Sequence, residues 1–161
     1  MRVLVVSDTH GKSEMLERVI EMEAPFDALI HCGDVEGQEN YIEALADGPA
    51  YMVAGNNDFF SDLDREMEIE LDGVRIMITH GHYYGVSLDL GEIIDEAASR
   101  EIPLVLFGHT HRPVISRKGE VTAMNPGSLS YPRQEGRNPS YLILNLHENG
   151  AFEGEIRYVK K

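Results

Sequence analysis

Residues 3–10 read V-L-V-V-S-D-T-H, and they are the natural starting point for the fold. Val3 to Val6 is apolar and largely β-branched without alternation, which is typical of a strand buried on both faces in an α/β protein. The chain turns polar directly afterwards, so that Asp8 and His10 follow the strand. Because α/β folds place their chemistry where strands end, this stretch predicts a buried strand that delivers functional side chains into a loop.

The same arrangement of an apolar run followed by metal-binding residues recurs four more times. The later clusters are H-C-G-D with Asp34, A-G-N-N-D with Asn56, I-T-H-G-H with His80, and F-G-H-T-H with His109 and His111. Taken singly, most clusters have an ordinary structural explanation, such as turn chemistry at Gly33-Asp34. Taken together, seven side chains that bind hard or borderline metal ions follow strands in one order, which predicts a metal site.

Strand and helix patterns alternate in the first half of the chain, and strands dominate the second half. Helices are predicted from Ser13, with Ser13 as N-cap and Pro25 as stop, over about 38–46, and over about 87–100 with Leu90, Ile93, Ile94, Ala97 and Ala98 facing inward. Strands are predicted at 3–6, 28–31, 51–54, 66–71, 74–79, 104–107, 114–116, 121–124, 141–146 and 153–159, with a hairpin at Asp72-Gly73. This order fits two packed sheets with outer helices.

Composition predicts a single domain over residues 1–161 and argues against some function classes. The apolar fraction of 42% is ordinary for a globular domain, and no stretch near the start resembles a signal peptide or membrane span. With 28 acidic and 14 basic residues the net charge is −14, which disfavours binding of long nucleic acids. The single cysteine, Cys32, suits a reducing compartment, so a cytoplasmic protein without membrane partners is expected.

The ligand types suggest a reaction. Hydrolysis of a phosphate ester at neutral pH needs a hydroxide and a sink for charge on the phosphoryl oxygens. A pair of metal ions about 3.5–4 Å apart supplies both. Mixed imidazole, carboxylate and amide ligands favour Mn²⁺, Fe²⁺, Zn²⁺ or Ni²⁺ over Ca²⁺ or Mg²⁺, and a structural zinc site would instead be expected to use cysteines.

The D-x-H, G-D, G-N-x-D, H-G-H and G-H-x-H series resembles the calcineurin-like metallophosphoesterases over nearly the whole chain. It is most similar to their short bacterial and archaeal branch, the YfcE-type phosphodiesterases, and residues 125–128 and 131–133 share this similarity. The resemblance implies an α/β fold with a four-layer αββα sandwich, in which helices flank two central mixed sheets. It also implies that one metal is held by Asp8, His10 and His111, the second by Asn56, His80 and His109, and that Asp34 bridges the two.

One position departs from the family pattern. Many relatives carry a histidine where Asn57 stands, acting as general acid or steadying the transition state, although Asp58 beside it is retained. An amide has no useful pKa, and a missing proton donor costs about 10²–10⁴ in rate. His82 is the hypothesis for that donor, and the alternative is that it orients His80. The predicted catalytic residues are thus Asp34, Asn56, Asp58 and His82.

Two further groups of residues bear on substrate and partners. Arg133 follows a proline in a loop that the family places near the metals, and its planar guanidinium matches phosphate oxygens. Arg112 and Arg137 are weaker candidates for such a contact, and the alternative for each is a solvated charge. Tyr41 and the pair Phe59-Phe60 are either local packing or the interface of a homodimer.

The leading functional hypothesis is a metal-dependent phosphodiesterase that acts on a small diester through in-line attack by a metal-bridging hydroxide. Two divalent transition-metal ions are expected per chain, with Mn²⁺ favoured and Ni²⁺, Fe²⁺ or Zn²⁺ as alternatives. A phosphomonoesterase is a close variant. The competing class is a non-catalytic scaffold, because a retromer subunit with this fold uses its surface for protein binding. The missing basic groove disfavours a nuclease.

Overall fold

The structure is a computed structural model that describes residues 1–160. These residues form ten strands, three α-helices and one 3-10 turn in an order that alternates strand and helix at first and then becomes mostly strand. The elements are β1 Arg2–Val6, α1 Glu14–Glu23, β2 Ala28–His31, α2 Glu39–Ala46, β3 Ala50–Met52, β4 Glu66–Leu71, β5 Val74–Thr79, the 3-10 turn His82–Tyr84, α3 Gly91–Ser99, β6 Leu104–Leu106, β7 Val114–Lys118, β8 Val121–Asn125, β9 Ser140–Leu146 and β10 Phe152–Tyr158.

The strands make two mixed five-stranded sheets, in the orders β10-β9-β1-β2-β3 and β4-β5-β6-β8-β7. In the first sheet β1, β2 and β3 are parallel, with Val5 opposite Ile30. In the second, β5, β6 and β8 are parallel, with Ile78 opposite Leu106. Parallel neighbours end at the same edge of a sheet, so the loops after β1 and β2, and those after β5 and β6, emerge side by side.

Alternating side chains of β1 show how the layers are built. Val3 and Val5 pack between the two sheets, against residues such as Ile76 of β5. Leu4 and Val6 face the other way and pack under α1 and α2. The outer face of the second sheet packs under α3, where Ile93 belongs to the same buried cluster as Met77 and Val105. The predicted four-layer αββα sandwich is therefore confirmed.

Helix boundaries differ from the predictions where glycines and turns intervene. The third helix begins at Gly91 and not near Ser87, because the chain leaves the 3-10 turn through further turns in which the Leu88 N–H donates to the Gly85 carbonyl. The prediction that Ala98 faces inward is wrong, since it is exposed. Ser13 stands before α1 as predicted, but its side chain caps no N–H group.

No helix within residues 1–160 has both the length and the apolar character needed to cross a membrane.

A buried carboxylate at the end of α1 ties the helix to the first sheet. Glu23 accepts hydrogen bonds from the Tyr141 hydroxyl at 2.6 Å and from the Arg157 guanidinium at 2.7 Å, and it also pairs with Arg2. We call these four residues the Glu23 cluster. Burial alone would raise the pKa of Glu23, but the hydrogen bonds outweigh burial and hold the pKa below its ordinary value. The cluster therefore favours the folded state when Glu23 is ionised.

Candidate metal centre

The loops after β1, β2, β5 and β6 meet at one edge of the sandwich. The Asp8 N–H donates to the Gly33 carbonyl at 3.0 Å within the first sheet, and the Gly108 N–H donates to the His80 carbonyl at 3.0 Å within the second. The His109 N–H donates to Asp8 Oδ2 at 3.1 Å and so joins the two sheets. Side chains that are far apart in sequence are brought together here.

Four predicted ligands form a compact group. Ligand atoms of Asp8, His10, Asp34 and His111 all lie within 4.8 Å of one another. Nδ1 of His111 lies 2.7 Å from the Tyr131 carbonyl oxygen, which can only accept, so Nδ1 carries the proton. Nε2 of His111 therefore directs its lone pair at Asp8 Oδ1 and at His10 Nε2, each 3.1 Å away. Acceptor atoms that converge in this way suit a cation.

His80 presents a second lone pair to the same group. Its Nδ1 donates to the Cys32 carbonyl oxygen at 2.7 Å, which leaves Nε2 unprotonated in the neutral ring. Nε2 lies 3.3 Å from Asp34 Oδ2 and 3.8 Å from Asp8 Oδ1. Both His80 Nε2 and Asp8 Oδ1 are buried, and neither has a hydrogen-bond partner in residues 1–160. Buried polar atoms are nearly always satisfied, so this pair fits a bound cation.

Asp34 lies between histidines of the two predicted metal sites. Its Oδ2 is 3.6 Å from Nε2 of His10 and 3.3 Å from Nε2 of His80. Asn57 holds the carboxylate in place, since its backbone N–H donates to Oδ1 at 2.9 Å and its side-chain amide donates to Oδ2 at 3.0 Å. Asn57 thus fixes the orientation of Asp34.

The two remaining predicted ligands lie on the His80 side of the group. The rings of His109 and His80 are 5.1 Å apart between centroids. Nδ1 of His109 and Oδ1 of Asn56 form a hydrogen bond of 3.1 Å, at a more exposed position than the other ligands. The structure therefore brings all seven predicted ligands to one place.

The carboxylates and histidines of the centre shift each other's protonation. Burial alone would raise the pKa of Asp8, but His10, His111 and His80 outweigh it and hold this pKa well below its ordinary range. The pKa of Asp34 is lowered against burial in the same way, mainly by His80. In return, the pKa values of His10 and His80 are raised by Asp8 and Asp34 despite burial. The carboxylates of Asp8 and Asp34 are therefore ionised at neutral pH, and their negative charges favour the binding of a cation.

The backbone is strained at most of these positions. A left-handed conformation costs a residue with a side chain about 1–2 kcal/mol. Five of the seven predicted ligands adopt it, with φ of 54° at Asp8, 50° at His10, 60° at Asp34, 72° at His109 and 61° at His111. Such strain persists where surrounding structure enforces it, and it concentrates at functional sites.

The sequence of the chain also matches a known protein family. Residues 1–149 match the calcineurin-like phosphoesterase superfamily domain. The chain belongs to this family. It is 35% identical over 152 residues to a probable metallophosphoesterase, YsnB, of Bacillus subtilis, covering 94% of this chain and 88% of that protein. It is 29% identical over 170 residues to the phosphodiesterase YfcE of Escherichia coli, covering 90% and 88% of the two chains.

Solved structures agree with the family assignment. A conserved protein of Streptococcus pneumoniae, described as a predicted phosphoesterase, superposes with a TM-score of 0.79 at 28% identity and covers 97% of both chains. Vps29 of Entamoeba histolytica, solved with Zn²⁺, superposes with a TM-score of 0.76 at 20% identity over 98% of this chain and 99% of that one. The second likeness concerns the fold alone.

Asp58 of this phosphoesterase contacts backbone and not the cluster of ligand atoms. Its Oδ2 accepts from the N–H groups of Asp34 at 2.8 Å, Val35 at 3.2 Å and Gly55 at 2.7 Å, and its Oδ1 accepts from Glu36 at 2.7 Å. These donors belong to the loops that carry Asp34 and Asn56. Asp58 therefore positions two ligand loops relative to one another.

Sequence reasoning missed a buried histidine that supports the centre. His31 accepts a hydrogen bond from the Gly33 N–H at Nδ1, at 3.1 Å, so its Nε2 carries the proton and donates to the Thr9 hydroxyl at 2.9 Å. Burial lowers the pKa of His31 to about 4, which keeps the ring neutral. The ring thus links the loops after β1 and β2. The sequence offered no sign of this beyond a histidine within a buried strand.

The other two predicted site residues flank the metal ligands on different sides. The ring of His82 lies 5.4 Å from that of His80 and 5.9 Å from that of His109, measured between centroids. Burial, followed by the charges of His80 and His109, lowers the pKa of His82. Arg133 lines an open cleft of about 740 Å³ beside His10 and His111. The structure therefore brings both near the centre.

Proposed function

We propose that this metallophosphoesterase hydrolyses a small phosphodiester at a centre that binds two divalent cations. The observation that carries the proposal is the buried, unpartnered pair of Asp8 Oδ1 and His80 Nε2, 3.8 Å apart. When bound, the cations supply an activated water and take up negative charge on the phosphoryl oxygens. The family to which the chain belongs and its relative YfcE, a phosphodiesterase, support the reaction class.

The ligands divide into two sets that share one carboxylate. Asp8, His10 and His111 hold the first cation, and Asn56, His80 and His109 hold the second. Asp34 is the shared ligand, which agrees with the position of its Oδ2 between His10 and His80. Imidazole nitrogens beside carboxylate and amide oxygens favour first-row transition metals, and we propose Mn²⁺, with Ni²⁺, Fe²⁺ or Zn²⁺ as substitutes.

Other residues of the chain orient the centre and handle the substrate. Asn57 holds the Asp34 carboxylate and Asp58 holds the loops, so both act by positioning. Arg133 binds non-bridging phosphoryl oxygens from the cleft. His82 supplies a proton to the departing oxygen. Because burial and then the neighbouring His80 and His109 lower the pKa of His82, proton donation by His82 is expected to strengthen towards lower pH.

A diester suits this centre better than a monoester. A phosphomonoester dianion would bring a second negative charge to the cations themselves, where the Glu36 carboxylate lies 3.3 Å from Nδ1 of the proposed ligand His10. The net charge of −14 adds to the repulsion. A pure binding scaffold of this fold would not need five ligands in costly backbone conformations, which favours catalysis.

The test is hydrolysis of bis(p-nitrophenyl) phosphate beside p-nitrophenyl phosphate by chelated protein and by protein restored with Mn²⁺. We expect turnover of the diester that requires metal and is lost in Asp34→Asn. Asp72→Asn, which makes the same change in an exposed hairpin turn, serves as the matched control and should retain activity. Absence of turnover on both esters, with metal shown to be bound by elemental analysis, would reject the proposal in favour of a scaffold.

A further inference from the structure

The cleft beside the metal centre holds more positive charge than the scissile diester requires. Three arginines line its wall next to His10 and His111, namely Arg112, Arg133 and Arg137. The whole chain has only 14 basic residues against 28 acidic ones. Three guanidinium groups that line one cleft of so acidic a protein form a local positive patch, which attracts an anionic ligand.

None of these three guanidinium groups forms an ion pair or side-chain hydrogen bond within residues 1–160. Other arginines of the chain do, since Arg2, Arg75, Arg100 and Arg157 all pair with glutamates. The acidic residue of the cleft, Glu36, is directed at His10 instead. The five donors of each guanidinium in the cleft are therefore available to a ligand.

The loop that carries two of the arginines is fixed to a metal ligand. The Arg133 N–H donates to the His111 carbonyl at 3.0 Å, and the Tyr131 carbonyl accepts from His111 Nδ1 at 2.7 Å. Further along, the Arg137 N–H donates to the Gln134 carbonyl at 3.0 Å and closes the loop. The backbone that carries these arginines thus has a defined position relative to the reacting centre.

From this arrangement we infer that the substrate bears a phosphate monoester in addition to the diester that is cleaved, and that Arg112 and Arg137 bind this second group. The inference rests on the proposed phosphodiesterase function. A diester has a single negative charge, which the cations and Arg133 suffice to meet. Two further guanidinium groups match the oxygens of a terminal phosphate, which a planar fork binds through paired hydrogen bonds. A phosphodiester that also carries a terminal phosphate is the class of substrate that fits.

The test compares two chromogenic diesters that differ only in a distant phosphate. These are the p-nitrophenyl ester of thymidine 5′-phosphate and the same ester carrying a 3′-phosphate. With Mn²⁺-loaded protein we expect kcat/KM to be about tenfold higher for the 3′-phosphorylated ester, a size typical of two exposed ion pairs. The ratio of the two kcat/KM values should fall close to one in the double variant Arg112→Gln/Arg137→Gln.

A matched control removes the same charge elsewhere. Arg18→Gln/Arg117→Gln changes two arginines that do not line the cleft, and it should keep the ratio of the wild type. Equal kcat/KM for both esters in the wild type would overturn the inference. So would a preference that survives in Arg112→Gln/Arg137→Gln, or one that disappears to the same extent in the control.

A binding measurement separates this inference from the proposed function. Isothermal titration calorimetry compares thymidine 3′,5′-bisphosphate with thymidine 5′-phosphate on the Mn²⁺-loaded wild type and the double variant. If neither ester is hydrolysed but the bisphosphate binds about tenfold more tightly through these arginines, the anion site stands and the proposed function fails. If the diester is hydrolysed without any preference in turnover or binding, the function stands and the inference fails.

Discussion

Asp58→Asn is the change that most sharply separates a positioning role from a chemical one. The Asp58 carboxylate accepts four backbone N–H groups from the two loops that carry Asp34 and Asn56. In Asp58→Asn the amide oxygen can replace Oδ2 opposite three of these donors. The NH₂ group then faces the Glu36 N–H, where two donors oppose each other. One hydrogen bond is lost, and three lose the assistance of the negative charge.

The magnitude follows from those four contacts. A hydrogen bond to a charged acceptor contributes about 1.5–3 kcal/mol and a neutral one about 0.5–1.5 kcal/mol, at the lower end where water has access. One bond worth about 1.5 kcal/mol is lost and three weaken by about 1 kcal/mol each, so we expect Asp58→Asn to lower the free energy of unfolding of the metal-free protein by about 4–5 kcal/mol. Because the loops of Asp34 and Asn56 lose their common anchor, Mn²⁺ affinity should also fall by about 10–100-fold.

Urea unfolding of the metal-free protein and calorimetric titration with Mn²⁺ measure the two effects. Asp72→Asn is the matched control, because Asp72 forms only an exposed contact of 3.3 Å with the N-terminal ammonium. Its unfolding free energy should change by less than about 0.5 kcal/mol. An Asp58→Asn protein with the stability and the Mn²⁺ affinity of the wild type would refute the anchoring role.

Three further changes test other parts of the account. A Cβ added at Gly55 would lie 2.2 Å from Asp34 Oδ1 and 2.5 Å from its backbone nitrogen, so Gly55→Ala should abolish diester turnover. At Gly48 the nearest contact would be 3.9 Å, so Gly48→Ala should be silent in the same assay, and equal activities would contradict the packing argument. If His82 protonates the leaving group, His82→Ala should slow an alkyl phosphodiester by about 10²–10⁴ and bis(p-nitrophenyl) phosphate far less. An equal loss on both esters would point instead to a structural role. Since the pKa of Glu23 is lowered by the Glu23 cluster, its contribution is present above the ordinary glutamate pKa and is lost as pH falls through the folded value. The stability difference between wild type and Glu23→Gln, about 2 kcal/mol at pH 7, should therefore shrink towards pH 3 in urea unfolding, and a constant difference would exclude this linkage.

Much of the fold was predictable because its strands have clear local sequence patterns. Buried runs such as Val3 to Val6 have no polar face, and Asp72-Gly73 marks a hairpin, which the pairing of β4 with β5 confirms. That the seven predicted ligands come together was predictable for a related reason, since parallel strands end at one edge of a sheet and carry their loop residues with them. Helix ends were less certain, because turn hydrogen bonds after Gly85 delay α3 to Gly91.

The supporting residues could not be identified from sequence because their roles depend on distant partners. Asp58 looks like a site residue by position, but its carboxylate contacts backbone from two loops. His31 has its hydrogen-bond partners at Thr9 and Gly33, a relation that exists only once β1 and β2 pair. Arg112 and Arg137 were weaker candidates for a phosphate contact, because no sequence pattern shows that both line the cleft beside His10 and His111.

The most direct test of a dinuclear phosphodiesterase is a titration of metal-free protein with Mn²⁺, in which hydrolysis of bis(p-nitrophenyl) phosphate is followed at each step. The account predicts that turnover is absent without metal and rises until two equivalents of Mn²⁺ are bound per chain. Saturation of turnover at one equivalent would contradict the shared role of Asp34 between two cations. Two bound equivalents without turnover would contradict the phosphodiesterase itself.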